Sequence, residues 1–298
     1  MDVLQIEGLK KSFGKKEVLR GVDLSVPQNS VFGFIGRNGA GKTTLMKLVL
    51  GLLSADAGEI RIAGERVRYG QTETNRMIGY LPDVPSFYGF YTAHEYLAFC
   101  GECLGMKRSE IIDRSEELLE IVGLQDERHR IKGFSRGMKQ RLGIAQALIA
   151  SPKLLICDEP TSALDPVGRK EILSLLQSIK DRTTVFFSTH ILSDVERICT
   201  HAALLQDGEI RLCGGMGELR SHLGRNEITA EMETKADAAR LAEFLGDACR
   251  VEDRILTLTG GAERMREILA GISELGLSAL RVERTEPSLD ALFEEVER

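Results

Sequence analysis

The stretch that decides the fold is "SVFGFIGRNGAGKTTLMKLVLGLL", residues 30–53. It opens with a short apolar run typical of a buried strand, and it closes with apolar residues at helical spacing. Between them, "GRNGAGKT" (36–43) matches the pattern G-x-x-x-x-G-K-[ST]. Glycines in such a loop let backbone N–H groups close on phosphate oxygens, and the N-terminus of the following helix adds a favourable dipole. The sequence therefore predicts a phosphate cradle that binds a nucleotide.

Two side chains of this loop have predicted roles in the chemistry. Lys42 is expected to reach the β- and γ-phosphates, and the Thr43 hydroxyl is expected to ligate Mg²⁺. A chance glycine-rich turn is the alternative, but the lysine, the two threonines and the flanking strand and helix argue against it. The predicted nucleotide-binding residues are Gly36, Arg37, Asn38, Gly39, Ala40, Gly41, Lys42, Thr43 and Thr44.

A second motif, "LLICDEP" (154–160), supplies two acids. A buried strand that ends at Asp158 places a carboxylate at the carboxyl edge of the sheet, where open α/β folds bind ligands. Asp158 suits the Mg²⁺ shell, through water. Glu159 is expected to face an attacking water, as general base or water-positioning residue. Two surface acids that cap a strand are the weaker alternative.

The rest of the chain is organised around these motifs. Strands are predicted over most of the first 80 residues, helices from about 84 to 150, and two further buried strands in "KLLICD" and "TVFFST". A helix is expected to begin near Pro166, and Asp207-Gly208 indicates a hairpin. This alternation predicts an α/β domain with a largely parallel sheet over residues 1–215.

A smaller domain is predicted at the C-terminal end. The glycine-rich stretch "GGMGELRSHLG" interrupts the pattern and indicates a linker over residues 216–225. Residues 226–298 then read β-α-β-β-α-β, which is the order of a split βαβ motif of α+β type. A last helix, "PSLDALFEEVER", is expected over residues 287–298. No catalytic constellation is visible in this domain.

Composition excludes several classes of protein. A net charge of −6 and a pI of about 5.6 argue against a general nucleic-acid binder. No segment has the ~20 uninterrupted apolar residues of a membrane span, and the first residues lack the apolar core of a signal peptide. Cys100 and Cys103 form the one C-x-x-C pair, which without a second pair predicts two small buried residues and not a zinc site. We expect a soluble, cytosolic protein.

The ordered motifs resemble those of the ATP-binding subunits of ABC transporters, across about residues 1–215. Phe13 matches the aromatic residue that stacks on adenine, and His190 in "STH" matches the switch histidine. The resemblance implies a P-loop NTPase with a RecA-like core, N-terminal antiparallel strands and a helical signature subdomain. "FSRGM" matches the signature motif, usually LSGGQ, and "SALD" matches the D-loop. These two motifs contribute Ser135, Arg136, Gly137 and Met138, and Ser162, Ala163, Leu164 and Asp165.

The resemblance also implies a dimer that encloses two Mg-ATP. In the family, the signature helix of one subunit points its N-terminus at the γ-phosphate held by the other, and the other subunit is a second copy or a second ATPase chain. Ser135 can cap that helix. Arg136 and Met138 depart from the usual glycine and glutamine, and the arginine either lies outward or adds positive charge near phosphate. Asp83 in "YLPDVP" stands where the family usually has glutamine, and its carboxylate can bind the metal.

Aromatic residues are concentrated between residues 80 and 99. The loop-like "PSFYGFY" is too crowded for every ring to be buried, so we expect an exposed partner surface. In the family, this region receives the coupling helix of the membrane subunit. The aromatic residues concerned are Tyr80, Phe87, Tyr88, Phe90, Tyr91, Tyr96 and Phe99.

These observations predict an ATPase that powers a separate integral membrane permease from the cytoplasmic face of the membrane. The small C-terminal domain resembles that of bacterial drug, antibiotic-resistance and bacteriocin-type exporter ATPases, so export is expected and no nucleic-acid partner is. One alternative is a soluble ABC ATPase acting on nucleic acid or ribosomes, although such proteins usually carry two cassettes or a coiled-coil insertion. Another is a weakly hydrolysing regulatory ATP-binding module, given Asp83 and Arg136.

Overall fold

Strands and helices alternate in the computed structural model as the sequence predicts. The structure describes residues 2–70, 73–222, 227–246 and 249–285. These fall into two compact units, Met1–Met216 and Gly217–Arg298, and each is described by itself.

The first unit holds ten strands, six α-helices and two 3₁₀ segments in the residues that the structure describes up to Met216. The strands are β1 (Asp2–Phe13), β2 (Lys16–Pro27), β3 (Val31–Ile35), β4 (Ala57–Ile62), β5 (Glu65–Arg66), β6 (Ile78–Leu81), β7 (Leu154–Cys157), β8 (Thr184–Thr189), β9 (His201–Gln206) and β10 (Glu209–Gly215). The α-helices are α1 (Lys42–Val49), α2 (Ala93–Cys103), α3 (Arg108–Ile121), α4 (Arg136–Leu148), α5 (Pro166–Ser178) and α6 (Leu192–Ile198). A 3₁₀ helix at Glu73–Met77 precedes β6, and a 3₁₀ turn at Ile131–Gly133 precedes α4.

Two sheets share the core of this unit. Strands β2, β1, β4 and β5 form an antiparallel sheet in that order, and β10, β9, β3, β8, β7 and β6 form the second sheet. The pairs among β9, β3, β8, β7 and β6 are parallel, and only β10 is antiparallel to its neighbour. Apolar residues of both sheets pack with those of α1 in one cluster that includes Leu4, Phe32, Phe34, Leu45 and Phe186. This confirms the predicted RecA-like core with N-terminal antiparallel strands.

Helices α2, α3 and α4 lie between β6 and β7 in the chain, and α4 approaches β6 very closely. A Cβ atom added to Gly79 of β6 would lie 2.2 Å from the carbonyl oxygen of Ala147. One added to Gly143 of α4 would lie 2.5 Å from Cδ1 of Leu81. Two glycines therefore bring the signature helix into direct contact with the strand that leads to Asp83.

The second unit is a small α+β domain of split βαβ type, as predicted. Its elements are α7 (Met216–His222, at the boundary), β11 (Glu227–Met232), α8 (Lys235–Leu245), β12 (Cys249–Glu252), β13 (Ile255–Thr259), α9 (Ala262–Glu274) and β14 (Ala279–Thr285). Its sheet has the order β12, β13, β11, β14, with every pair antiparallel. Ile228, Leu241, Leu256 and Ile268 are fully buried in its separate core.

Two expectations from the sequence need correction. Residues 216–222 form helix α7 where a linker was expected, because Met216 and Leu219 are buried and the Met216 N–H donates to the Thr200 carbonyl at 2.9 Å. Cys103 is exposed and Cys100 is half-buried, so this pair is not the expected buried pair. The remaining linker residues 223–225 and the helix expected at 287–298 lie outside the described residues. In the described part of the chain, no helix is long and apolar enough to cross a membrane.

Candidate nucleotide-binding site

The glycine-rich loop joins β3 to α1 as its sequence predicts. The strand ends at Ile35, and the helix begins at Lys42 with Gly41 at its N-cap. Gly41 has a φ of 112°, a left-handed conformation that favours glycine. This turn points the first, unpaired N–H groups of α1 toward the loop, which is the geometry that binds phosphate.

Lys42 is buried beside this loop, with 5% of its surface exposed. Its Nζ donates to the carbonyl oxygen of Gly36 at 2.6 Å and to that of Arg37 at 3.4 Å. Nζ also lies 3.2 Å from Oε1 of Glu159, a charge contact without hydrogen-bond alignment. The loop therefore holds a desolvated ammonium group at the place where the sequence predicts the β- and γ-phosphates.

Asp158 is fixed at the carboxyl end of β7 by two hydroxyl groups. Thr43 Oγ1 donates to its Oδ2 at 2.9 Å, and Ser188 Oγ donates to its Oδ1 at 2.7 Å. Asp158 is 5% exposed, so both carboxylate oxygens are held in a largely water-free setting. The structure thus brings together Thr43 and Asp158, two of the three residues for which a magnesium role is predicted.

Glu159 has a strained backbone, with a φ of 48°. Its N–H donates to Ser188 Oγ at 2.9 Å, and its Oε2 lies 2.9 Å from Nδ1 of His190. Only 14% of its side chain is exposed. The two predicted catalytic residues are therefore in direct contact, and Glu159 is held between His190 and Lys42.

Sequence reasoning missed Ser188, which connects both acids. Ser188 belongs to the "STH" motif, of which only the histidine has a predicted role. A polar residue at the carboxyl end of the apolar strand "TVFFST" was the available signal, because β8 lies between β3 and β7 in the sheet. A hydroxyl at that register reaches the end of β7.

One cavity of about 510 Å³ is lined by most of the predicted P-loop residues and by Phe13, Asp83, Asp158 and Glu159. Phe13 lies at its rim, 49% exposed, and Lys11 Nζ is 5.5 Å from the centroid of its ring. Lys16 and Val18 also line the cavity and were not predicted. The lining residues are Phe13, Lys16, Val18, Arg37, Asn38, Gly39, Gly41, Lys42, Thr43, Thr44, Asp83, Asp158 and Glu159.

The signature residues do not line this cavity. Ser135 caps α4 by accepting the Met138 N–H at 3.2 Å, as its sequence predicts. A Cβ atom added to Gly137 would meet nothing within 4 Å, so the first turn of α4 is open on that side. In the D-loop, Asp165 caps α5 by accepting the Gly168 N–H at 3.1 Å, and Ala163 has a φ of 49°.

Arg136 is exposed at the start of α4 and contacts two other segments of its own chain. Its Nη2 donates to Ser162 Oγ at 3.3 Å, and Ser162 Oγ donates in turn to Oδ1 of Asp83. The guanidinium is also 3.8 Å from the Asp83 carboxylate. Two of the three departures from the family pattern, Arg136 and Asp83, are thus joined to each other through Ser162 of the same chain.

Two other titratable groups beside the acids stay neutral at pH 7. Burial, and then the charge of Asp158, raises the pKa of Tyr80 to about 12. Burial also raises the pKa of the Cys157 thiol far above its usual range. Neither group is therefore available as a nucleophile or base at that pH.

Comparison with known proteins identifies the family. The sequence profile described as "ABC transporter" matches residues 19–162. The chain is 42% identical over 236 residues to the uncharacterized ABC transporter ATP-binding protein YxlF of Bacillus subtilis, covering 79% of this chain and 78% of that one. It is 36% identical over 297 residues to the bacitracin transport ATP-binding protein BcrA of Bacillus licheniformis, covering 98% and 96%.

Solved structures support the same family. A structure described as the ATP binding subunit of an ABC transporter superposes with a TM-score of 0.67 at 31% identity, covering 74% of this chain and 93% of that one. These similarities, together with the P-loop and the paired acids that line one cavity, show that the chain belongs to the ATP-binding subunits of ABC transporters and is an ATPase.

Proposed function

We propose that two ATPase subunits, at least one of them this chain, enclose two Mg-ATP and power a separate integral membrane permease. The observation that supports a dimer most directly is the open first turn of α4. Ser135 and Gly137 are exposed or unobstructed, and they do not line the cavity of their own chain. A helix N-terminus is a ready anion site, so the signature of one chain is available to complete the cavity of another.

The residues beside the loop fit a magnesium ion. The described part of the chain has no group of three or more His, Cys, Asp or Glu placed to hold a metal. Mg²⁺ commonly uses one or two protein oxygens and takes the rest from phosphates and water. Thr43 and Asp158 supply two such oxygens in contact, and Asp83 lines the same cavity. When bound, Mg²⁺ neutralises charge on the phosphate oxygens.

Lys42 and Glu159 are arranged to exchange partners when nucleotide binds. Lys42 Nζ is held by the Gly36 carbonyl and lies beside Glu159 Oε1. A phosphate carries more negative charge than these partners, so Lys42 is expected to turn to it. That exchange frees Oε1 to accept a proton from the attacking water, while His190 keeps Oε2 in place.

Residues 87–91 are proposed as the docking surface for the permease. Tyr88 and Phe90 are 56% and 60% exposed, although they pack against each other with ring centroids 5.9 Å apart. The backbone of this segment is fixed to the turn before α4, because Ile131 N donates to Tyr91 O at 2.8 Å and Lys132 N donates to Gly89 O at 3.1 Å. A permease that moved this segment would therefore also move the signature helix.

The direction and the cargo are proposed from the relatives. BcrA is named for bacitracin transport, and its similarity extends over 98% of this chain, so it includes the small C-terminal unit. We infer export of a peptide-like or similar antibiotic, with the ATPase held at the cytoplasmic face by its permease.

A Glu159→Gln variant tests this proposal. The amide cannot accept a proton from water, so hydrolysis should fall about 100-fold or more while ATP binding persists. Gel filtration with Mg-ATP should then show a stable dimer, which the wild type shows only transiently. Glu171→Gln, which removes an exposed carboxylate on α5, is the matched control and should behave as wild type. A Glu159→Gln chain that stays monomeric at high concentration with ATP bound would contradict the dimer.

A further inference from the structure

Three segments of the first unit meet at a small polar cluster outside the P-loop. Arg136 is the first residue of α4, Asp83 follows β6, and Ser162 follows the acids that end β7. Arg136 and Asp83 are also the two positions at which this chain replaces the usual residue of its family with a charged one. Their contact indicates that each of the two replacements offsets the charge of the other.

The cluster is a hydrogen-bond relay with a consistent direction. A serine hydroxyl has one hydrogen to donate and lone pairs to accept with. Ser162 Oγ accepts from Arg136 Nη2 at 3.3 Å and donates to Asp83 Oδ1. Arg136 and Asp83 carry opposite charges 3.8 Å apart, so the direct attraction reinforces the relay.

Helix electrostatics explain why the arginine needs the acid. The N-terminus of a helix carries partial positive charge, so an acid in its first turn stabilises it and a cation does not. Helix α4 has no acid in its first turn and begins with Arg136. Asp83 supplies the missing negative charge from another segment. Conversely, Arg136 offsets a carboxylate that lines the cavity where anionic phosphates bind.

We propose that Arg136 is a positioning residue that acts through Ser162 and Asp83. It ties the start of the signature helix to the D-loop and to the wall of the nucleotide cavity in the same chain, so that these three parts move as one unit. The inference rests on the proposed function, because a position of α4 set in this way matters for turnover only if α4 serves a nucleotide on a second subunit. Either charge without its partner would lower the rate of ATP hydrolysis, whereas the two charges together would not.

A double-mutant cycle on the ATPase measures this coupling. Asp83→Asn keeps an acceptor for Ser162 but removes the charge, and Arg136→Gln removes the opposite charge. We expect each single variant to lower kcat and the double variant to recover, so that the effect of Asp83→Asn is at least threefold smaller in the Arg136→Gln background. Threefold corresponds to about 0.65 kcal/mol at ~1.36 kcal/mol per tenfold, a normal strength for an exposed ion pair. KM for ATP should change less than kcat, because Lys42 and the P-loop backbone are untouched although Asp83 lines the same cavity.

Lys139→Gln is the matched control, since it removes a positive charge from the next turn of the same helix. The effect of Asp83→Asn should be the same in this background as in the wild type. Arg136→Lys keeps the charge and should keep most of the coupling. Effects of Asp83→Asn that agree within twofold in all backgrounds would overturn the proposal.

Hydrogen–deuterium exchange of the peptide 134–139 in the nucleotide-free chain provides a readout that does not depend on activity. Exchange should accelerate in Asp83→Asn and in Arg136→Gln but not in Lys139→Gln. If the wild type hydrolyses no ATP, the proposed function fails, while the exchange still tests the contact. The positioning role would be overturned if exchange were unchanged in both Asp83→Asn and Arg136→Gln. It would also be overturned if exchange were faster but the effects of the two changes on kcat were additive.

Discussion

At the scale of single residues, the site is organised around charges that are already desolvated and paired. Lys42 and Asp158 are each 5% exposed. An unpaired charge at such depth is costly, and here each has its partners: loop carbonyls for Lys42, and the hydroxyls of Thr43 and Ser188 for Asp158. The side chains are therefore preorganised, and the nucleotide replaces existing partners instead of ordering a flexible loop.

Replacing Lys42 with alanine should abolish tight ATP binding. Truncating one member of a buried charge pair costs at least about 2 kcal/mol, which is roughly 30-fold in affinity. Isothermal titration calorimetry with Mg-ATP measures the loss. Lys47→Ala, which removes an exposed lysine from the same helix, should bind as the wild type. Equal affinity in both variants would contradict the assigned role of the loop.

The sequence predicted those residues whose role follows from a local motif. Lys42, Thr43 and Asp158 belong to continuous patterns whose spacing alone implies the chemistry. Ser188 was missed because its role depends on the register of β8 against β7, where Ile156 faces Phe186 and Cys157 faces Phe187. The register between strands that are distant in sequence is a tertiary property, and the sequence of neither strand alone predicts it.

At the scale of elements, helix α4 combines two opposite surfaces. Its far half packs against β6 so closely that glycine is required at 79 and 143. Its first turn, at Ser135 and Gly137, is capped but uncovered. Packing thus fixes the helix rigidly at one end while the other end remains available to a second chain.

Gly137→Ala tests whether the first turn of α4 is a binding surface or a packing surface. The added methyl group meets no atom of its own chain, and alanine favours a helix over glycine by up to about 1 kcal/mol. Urea unfolding should therefore show unchanged or slightly raised stability. ATPase activity should nevertheless fall at least tenfold, because the methyl group lies where the phosphate of the other subunit would approach.

Gly79→Ala supplies the contrast within the same packing unit. Its methyl group would meet the Ala147 backbone oxygen at 2.2 Å, so the free energy of unfolding should fall by about 1–3 kcal/mol through overpacking. If Gly137→Ala instead destabilised the chain and kept its activity, the first turn of α4 would be a structural element and not a binding surface.

The aromatic segment shows a limit of element-level prediction. A loop was predicted here from the aromatic composition and from Pro85 and Gly89. Residues 84–92 indeed precede α2 and lie outside the helices and strands. They did not predict which rings are exposed. Phe87 is half-buried because its ring packs edge-on against buried Tyr96, with centroids 5.1 Å apart, whereas Tyr88 and Phe90 face outward.

Replacing Tyr88 and Phe90 together with serine should abolish co-purification with the permease. Aromatic anchors at interfaces are each worth ~2 kcal/mol or more when truncated. Soluble ATPase activity and the midpoint of unfolding should stay near wild type, because both rings are mostly exposed. Phe87→Ser is the control for a packing role and should lower stability. Retained co-purification of the folded double variant would place the docking surface elsewhere.

At the scale of the whole molecule, the order of motifs predicted the fold better than any single motif. A strand, P-loop and helix, followed by a helical region and a second acid-bearing strand, leave few arrangements for a parallel sheet. The boundary between the two units was harder to predict. Three glycines at 214, 215 and 217 suggested a break, yet α7 begins at Met216 because burial of Met216 and Leu219 outweighs the local glycine content.

In the described part of the chain, the residues that line the nucleotide cavity do not include those of its own signature motif. If two chains pair with two-fold symmetry, each cavity receives the signature of the other chain. Each composite site then needs Lys42 from one subunit and Ser135 from its partner. This arrangement can be tested by placing the two defects on different chains.

Ser135→Arg should leave the ATP affinity of the isolated chain nearly unchanged but destroy hydrolysis, because Ser135 serves the nucleotide of the other subunit in the proposed dimer. Mixed in equal amounts with a Lys42→Ala chain, it should form heterodimers with one whole site, and random pairing predicts up to about a quarter of wild-type activity per chain. Mixing Ser135→Arg with a chain that carries both changes leaves no whole site and should give no recovery. Differently tagged chains establish that heterodimers are present. A heterodimer as inactive as either parent would contradict a signature that acts across the interface, whereas partial recovery requires that Lys42 and Ser135 of different chains meet at one ATP.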